Sequence, residues 1–263
     1  MATIREIYNV LFDFAPADMK LDWDNVGLVC GHFDAEVHKI LVALDPMPDV
    51  FEEAKACSCE LVVTHHPLLF QGVKQVNSDT YAGNCLLYLI ENGIAAMNLH
   101  TNLDCCPGGV NDVLAAKLGL EHVEILDPMG TDAQGRPYGL VRMGTVPEQS
   151  LAGFASFVKQ ALSCPGVRFA DAGKSVRKVA VGGGSCGSEI DAVLAAGCDT
   201  FVTADLKYNQ FEEAKYRGLN LIDAGHFETE NPVCEVLERI LREAYPEIPV
   251  FRAQKHHDET QFL

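Results

Sequence analysis

The chain has 263 residues, enough for one large domain or two smaller ones with real cores. With 48% hydrophobic and 22% charged residues its composition is that of a globular protein, not a disordered one. Its 37 acidic residues against 20 basic ones give a formal net charge of −17. That balance disfavours a sequence-independent grip on nucleic acid or an anionic membrane surface, though not a small anionic substrate held by local positive charge.

Taken in chain order, residues 3–15 are predicted as an amphipathic helix, with Ile4, Ile7, Tyr8, Leu11 and Phe12 on one face and the Pro16 region as its end. A strand is expected at 39–44, a helix at 48–58 and a buried strand at 60–64. A helix around 80–92 and a strand at 94–99 follow. The second half repeats the alternation, with a strand at 177–181, a helix at 188–197, a strand at 199–203, a helix at 209–217 and a strand at 219–223. Short apolar strands alternating with helices at this spacing predict an α/β fold with a largely parallel sheet. No apolar run approaches the roughly 18 residues of a membrane span. The N-terminus carries acidic residues early and lacks a signal-peptide core. The expectation is therefore a cytoplasmic protein with no membrane partner.

The ten cysteines lack zinc-ribbon spacing and mostly fall within apolar patterns, which predicts reduced packing residues rather than a disulfide framework. Aligning Lys39-Ile40-Leu41-Val42 with Lys178-Val179-Ala180-Val181 places Ala56, Cys59, Val63 and Thr64 on Ala195, Cys198, Val202 and Thr203 without a gap. Past the next helix, His100-Thr101-Asn102-Leu103-Asp104 matches His226-Phe227-Glu228-Thr229-Glu230, each a His followed four residues later by a carboxylate. The prediction is two similar pseudo-symmetric α/β lobes, residues 1–126 and 127–263, with polar strand ends around a shared crevice. The span 127–175 is read as a connection plus an extra element.

Thr64-His65-His66-Pro67 ends a strand. Adjacent residues in a regular strand point to opposite faces, so a site using both histidines requires the chain to leave β geometry, which Pro67 favours. Asp104 and Glu230 offer hard anionic oxygens, and His226 stands four residues before Glu230, on the same face if a helical turn begins there. Three imidazoles and two carboxylates suit Zn, Fe, Mn or Co better than Ca or Mg. His256-His257, in a polar C-terminal stretch, reads as solvated surface.

Trp23-Asp24-Asn25-Val26-Gly27-Leu28, Val63 through Leu68, His100 through Asp104 with Gly108-Gly109-Val110-Asn111, and Asp223-Ala224-Gly225-His226 through Glu230 together resemble the GTP cyclohydrolase I type 2 homologues, the NIF-three-like dinuclear-metal-centre proteins. The resemblance runs from near residue 1 to about 235. It implies two α/β lobes, a ring-shaped homohexamer and a two-metal centre. The implied ligands are His65, His66, Asp104, His226 and Glu230, with Glu230 bridging. His100 is then expected to support the site or touch substrate rather than ligate. The inserted domain of larger family members is absent, and Asn209 stands where a His is expected in many relatives, so no role is placed there.

Gly182-Gly183-Gly184-Ser185-Cys186-Gly187 has the form of a dinucleotide-binding loop, with Asp205 about 20 residues on. Glycine also suits any tight strand-to-helix turn, and a lesser role for the loop is an anion contact near Ser188. The functional expectation is a dinuclear metal-dependent hydrolase acting on a nucleotide-like or phosphorylated small molecule. His100, Asp24, Asn25 and Asp205 are its candidate supporting or substrate-contacting residues. Trp23-Asp24-Asn25 reads either as a purine- or water-orienting segment or as a turn with its Trp packed beneath. The alternative function is a non-catalytic metal carrier or an interaction scaffold.

Overall fold

The apolar periodicity of the N-terminal segment becomes helix α1 (Ile4–Phe14), and its start is fixed by reciprocal capping. The Thr3 hydroxyl accepts from the Glu6 amide, and the Glu6 carboxylate accepts from the Thr3 amide. Ile4, Ile7, Leu11 and Phe12 form its buried face. Removing a side chain of this kind from water contributes about 1.5–3 kcal/mol. The computed structural model describes residues 1–263. The chain divides into two compact units, Met1–Cys106 with Val233–Asp258, and Pro107–Pro232 with Glu259–Leu263.

In the first unit β1 (Gly27–Cys30) is followed by β2 (Ile40–Ala43), α2 (Pro48–Cys57), β3 (Leu61–Thr64), α3 (Tyr81–Glu91), β4 (Ala95–Asn98) and α4 (Thr101–Cys105). Strands β2, β3 and β4 are parallel, with Ile40 opposite Leu61 and Leu61 opposite Ala95, while β1 pairs antiparallel with β4. Every residue of β2, β3 and β4 is buried, as expected of parallel strands connected by helical crossovers. Helix α2 begins with Pro48 at its first turn and ends at Ser58, whose φ of 56° is left-handed and stops the helix.

The second unit contains α5 (Val110–Lys117), β5 (Glu121–Ile125), β6 (Arg142–Gln149), α6 (Leu151–Ala161), β7 (Arg168–Ala170), β8 (Val176–Val181), α7 (Ile190–Ala195), β9 (Thr200–Thr203), α8 (Tyr208–Tyr216), β10 (Asn220–Asp223) and α9 (His226–Glu230). Its sheet runs β7-β10-β9-β8-β6-β5, with β8, β9 and β10 parallel and β5, β6 and β7 antiparallel to their neighbours. The chain then returns to the first unit as α10 (Val233–Ala244) and β11 (Val250–Arg252), the latter parallel to β2 at the sheet edge.

The α/β class is as expected, and the second sheet is mixed rather than largely parallel. The internal repeat extends to register: Ile40 opposite Leu61 in the first unit corresponds to Val179 opposite Thr200 in the second. It extends to side chains as well. Lys39 Nζ donates to the Cys57 carbonyl and Lys178 Nζ to the Ala196 carbonyl, at 3.0 and 2.7 Å. The Glu60 carboxylate accepts from the amides of His38 and Lys39, and the Asp199 carboxylate from those of Arg177 and Lys178.

Two expectations are corrected. The units do not meet at 126/127, because β5 pairs with β6 in the second unit while α10 and β11 complete the first. Sequence order cannot reveal an element that returns to an earlier sheet. Nor is 127–175 mainly a connection. Strand β6 lies between β8 and β5, and α6 buries Leu151, Phe154, Ala155 and Val158 in the second core.

Eight of the ten cysteines are buried, and Cys30 and Cys57 are partly so. Burial pushes the thiols of Cys59, Cys164 and Cys234 up to about 12, which suppresses the thiolate needed for metal binding or nucleophilic attack.

Candidate metal centre

Strand β3 ends where the amides of His65 and His66 both donate to the Leu44 carbonyl, at 3.1 and 2.9 Å. One acceptor for two successive donors is incompatible with a continuing ladder, so the chain turns out of β geometry as the His-His-Pro sequence predicts. The two imidazoles therefore lie side by side, with ring centroids 4.8 Å apart. Just past β4, His100 joins them, 5.2 Å from the His65 ring and 5.6 Å from the His66 ring. The ligand atoms of His65, His66 and His100 all lie within 4.8 Å of one another. The first turn of α4 presents Asp104, whose Oδ1 is 3.5 Å from His65 Nε2 with both side chains buried.

Each imidazole is oriented through Nδ1. That of His65 donates to the Leu99 carbonyl at 2.8 Å, that of His66 to Asp45 Oδ1 at 2.6 Å, and that of His100 to Asp24 Oδ1 at 2.8 Å. A carbonyl or carboxylate oxygen only accepts, so the proton sits on Nδ1 and the Nε2 of a neutral ring carries the lone pair. Burial alone would raise the pKa of Asp24, but donors from His100 and Thr101 outweigh it and hold the carboxyl well below the usual range. Burial of Asp45 is likewise outweighed by hydrogen bonds from His256 and His66.

In the second unit, Gly225 with φ 86° turns the chain from β10 into the single turn of α9. One turn suffices to place His226 Nε2 3.0 Å from Glu230 Oε2. His226 Nδ1 donates to Asp205 Oδ2 at 2.8 Å, so the same tautomer logic applies. A lone pair and a carboxylate oxygen at 3.0 Å need a proton or a cation between them. The glycine loop closes over this pair. A Cβ on Gly184 would overlap Glu230 Oε1 and come within 2.9 Å of His226 Nε2.

The other sequence candidates divide. Asp24 and Asp205 fix histidines. Asn25 is structural: its side chain donates to the Leu69 carbonyl at 2.8 Å and its own carbonyl accepts from Asn98. His100, expected to support the site, stands among the histidines able to ligate. Trp23 does not pack beneath its turn. It is 60% exposed, nearly parallel to the exposed Phe70, and edge-on to His100 at 6.0 Å. Two amides of the glycine loop are already used, Gly183 N by Asn111 Oδ1 and Gly184 N by Thr229 Oγ1. With Glu230 beside them they do not form a phosphate cradle, and Ser188 falls in a short 3-10 turn.

Asp45 and His256 escaped the sequence reading. Asp45 directly follows β2, a strand-end position where α/β proteins place functional groups, and that was its available signal. His256, read as solvated surface, has a side chain that is 2% exposed and lies against Asp45. No local pattern announces a partner so distant in sequence.

The fold and these side chains define a two-unit α/β protein with His and carboxylate clusters able to hold a metal ion. The chain belongs to the Duf34/NIF3 (NGG1p interacting factor 3) family, whose model matches residues 2–259. It is 39% identical over 242 residues to a Streptomyces coelicolor protein named GTP cyclohydrolase 1 type 2 homolog, covering 90% of this chain and 84% of that one. A Clostridium perfringens protein of the same name is 33% identical over 265 residues, with 99% of both chains covered. Among solved structures, a Staphylococcus aureus hypothetical protein superposes with a TM-score of 0.92 at 29% identity, covering 99% of each chain.

Proposed function

We propose that this protein is a dinuclear divalent-metal hydrolase acting on a nucleotide-like or phosphorylated small molecule. The proposed ligands are His65, His66, Asp104, His226 and Glu230. The observation that carries the reading is the uniform anchoring of the imidazoles. His65, His66 and His226, like His100 beside them, each give Nδ1 to an oxygen acceptor, which makes Nε2 the nitrogen that a neutral ring offers to a metal, the arrangement that metal-ligating histidines require. The donor set suits Zn, Fe, Mn or Co. Two such ions, held by these residues, would supply Lewis acidity toward a carbonyl or phosphoryl oxygen and would offset the local negative charge.

The chain's own residues do the rest. Asp45, Asp24 and Asp205 hold the rings in one orientation. Exposed Trp23 and Phe70, beside His100, offer a stacking surface for a planar base. The relatives' shared name supports a nucleotide-like substrate. The proposed working form is a homohexamer in the cytoplasm, a setting supported by ten cysteines of which eight are buried as packing residues.

One observation favours the alternative of a metal carrier. His100 Nδ1 and Asp205, the candidates for protonating a leaving group, are each engaged in holding another residue. Metal analysis of the purified protein, its mass in solution and a hydrolysis screen over nucleotides and phosphoesters test the proposal. Two ions per chain and turnover that is lost in His66→Ala with the assembly intact are expected. A metal-loaded protein that hydrolyses none of them yet transfers metal to an apo-protein overturns the hydrolase reading.

A further inference from the structure

The C-terminal stretch Lys255-His256-His257-Asp258 looks like solvated surface, but it is tied down at several points. The Ala253 amide donates to the Val42 carbonyl at 2.9 Å, extending the pairing of β11 with β2. The Glu53 carboxylate then accepts from the amides of Gln254 and Lys255, again at 2.9 Å. These contacts deliver His256 to Asp45. His256 Nε2 lies 3.0 Å from Asp45 Oδ2 and 3.2 Å from the Asp45 amide nitrogen. One nitrogen cannot donate to the first and accept from the second with a single tautomer. The ionised carboxylate is the stronger partner, so the proton belongs on Nε2, directed to Oδ2. The other oxygen of the same carboxylate, Oδ1, accepts from His66 Nδ1.

We propose that His256 is a positioning residue for the metal centre: it pins Asp45, and through Asp45 fixes the ring orientation and tautomer of His66. A carboxylate held at one oxygen can swing about its Cα–Cβ and Cβ–Cγ bonds, and the imidazole bonded to it follows. Held at both oxygens it presents a fixed acceptor, so His66 loses less freedom when it takes a metal. Burying the His256 imidazole without a partner would be unfavourable, which makes the tail's docking and the pinning of Asp45 one event. The link to metal affinity rests on the function proposed above. The hydrogen-bond chain itself does not.

The test uses the full-length chain with three variants. His256→Phe keeps the ring volume without a donor, His256→Gln restores a donor, and His257→Ala alters the exposed neighbour. In metal-free protein, NMR follows the exchange of the His66 Nδ1 proton with water. Zn2+ affinity is measured by competition with a chromophoric chelator, and thermal unfolding reports the integrity of the fold. Partners one bond beyond a metal ligand typically contribute 10–100-fold in affinity, so His256→Phe, one bond further out, is expected to weaken Zn2+ binding about tenfold. It should also speed exchange of the His66 proton, with partial recovery in His256→Gln and no change in His257→Ala. Unchanged proton exchange in a folded His256→Phe variant overturns the proposal, as does unchanged Zn2+ affinity. A wild-type protein that binds no Zn2+ would sink the metal function and the affinity claim with it, while the proton exchange still decides whether His256 positions His66.

Discussion

Asp205 holds His226 from a strained position: its Oδ2 lies 2.8 Å from His226 Nδ1, while its backbone is left-handed at φ 53°. Only glycine, and to a lesser degree Asn and Asp, adopts that conformation at low cost. Asp205→Gly therefore separates stability from function. The metal-free protein is expected to be unchanged or up to about 1 kcal/mol more stable, because backbone strain is relieved. Metal affinity should fall by roughly 10–100-fold, because His226 loses its orienting partner. Thermal unfolding without metal, set beside chelator competition, checks the two effects; a parallel loss in both would refute the assignment.

Gly184 is the second test of the same corner. Its φ of 59° disfavours any side chain, and a Cβ would meet the Glu230 carboxylate and His226. Gly184→Ala should destabilise the protein by about 1–3 kcal/mol and reduce the metal content of purified samples. Denaturant unfolding and elemental analysis read the two outcomes separately.

Removing His66 and removing His65 should differ. His65 is fully buried and satisfies the Leu99 carbonyl, so His65→Ala costs packing and leaves a buried acceptor, about 1–3 kcal/mol for the latter alone. His66 is partly exposed, and His66→Ala is expected to lower metal content with a smaller loss of metal-free stability. Equal destabilisation by both would contradict this account.

A ligand that binds only the folded state stabilises it, by about 2.7 kcal/mol at a hundredfold excess over its dissociation constant. The unfolding temperature should therefore drop when a chelator strips divalent ions and recover on adding Zn2+ or Mn2+. Recovery with Mg2+ or Ca2+ instead would point away from an imidazole site.

Trp23 is the only tryptophan, and it is exposed beside His100. Its fluorescence is expected to be quenched by a purine nucleotide but not by inorganic phosphate. Base–aromatic stacking contributes about 1–3 kcal/mol per base. Trp23→Ala should accordingly raise KM for a nucleotide substrate with metal content unchanged, and quenching by phosphate alone would argue against stacking.

Much of this was readable along the chain because it depends on neighbours in sequence. The four-residue spacing of His226 and Glu230 places them on one turn. The His65-His66-Pro67 run leaves the ladder, since two amides compete for Leu44. The repeat that joins Lys39 to Lys178 reproduces even their contacts with the Cys57 and Ala196 carbonyls. Less was readable where the chain returns. Strand β11 completes a sheet begun some two hundred residues earlier, and β7 enters the second sheet out of order, at the far edge beside β10.

Composition and charge determined that this is an acidic globular protein, and the local patterns determined its α/β elements and the histidines and carboxylates of interest; no helix is long and apolar enough to cross a membrane. Hydrophobic periodicity and turn chemistry act over a few residues, so a sequence states them directly. Which acceptor each imidazole faces was decided only by the tertiary structure. Leu99 for His65, Asp24 for His100, and Asp45 shared by His66 and His256 are pairings between distant segments. A hydrogen bond depends on where two backbones meet in space, and that is set by the packing of whole units rather than by the residues on either side.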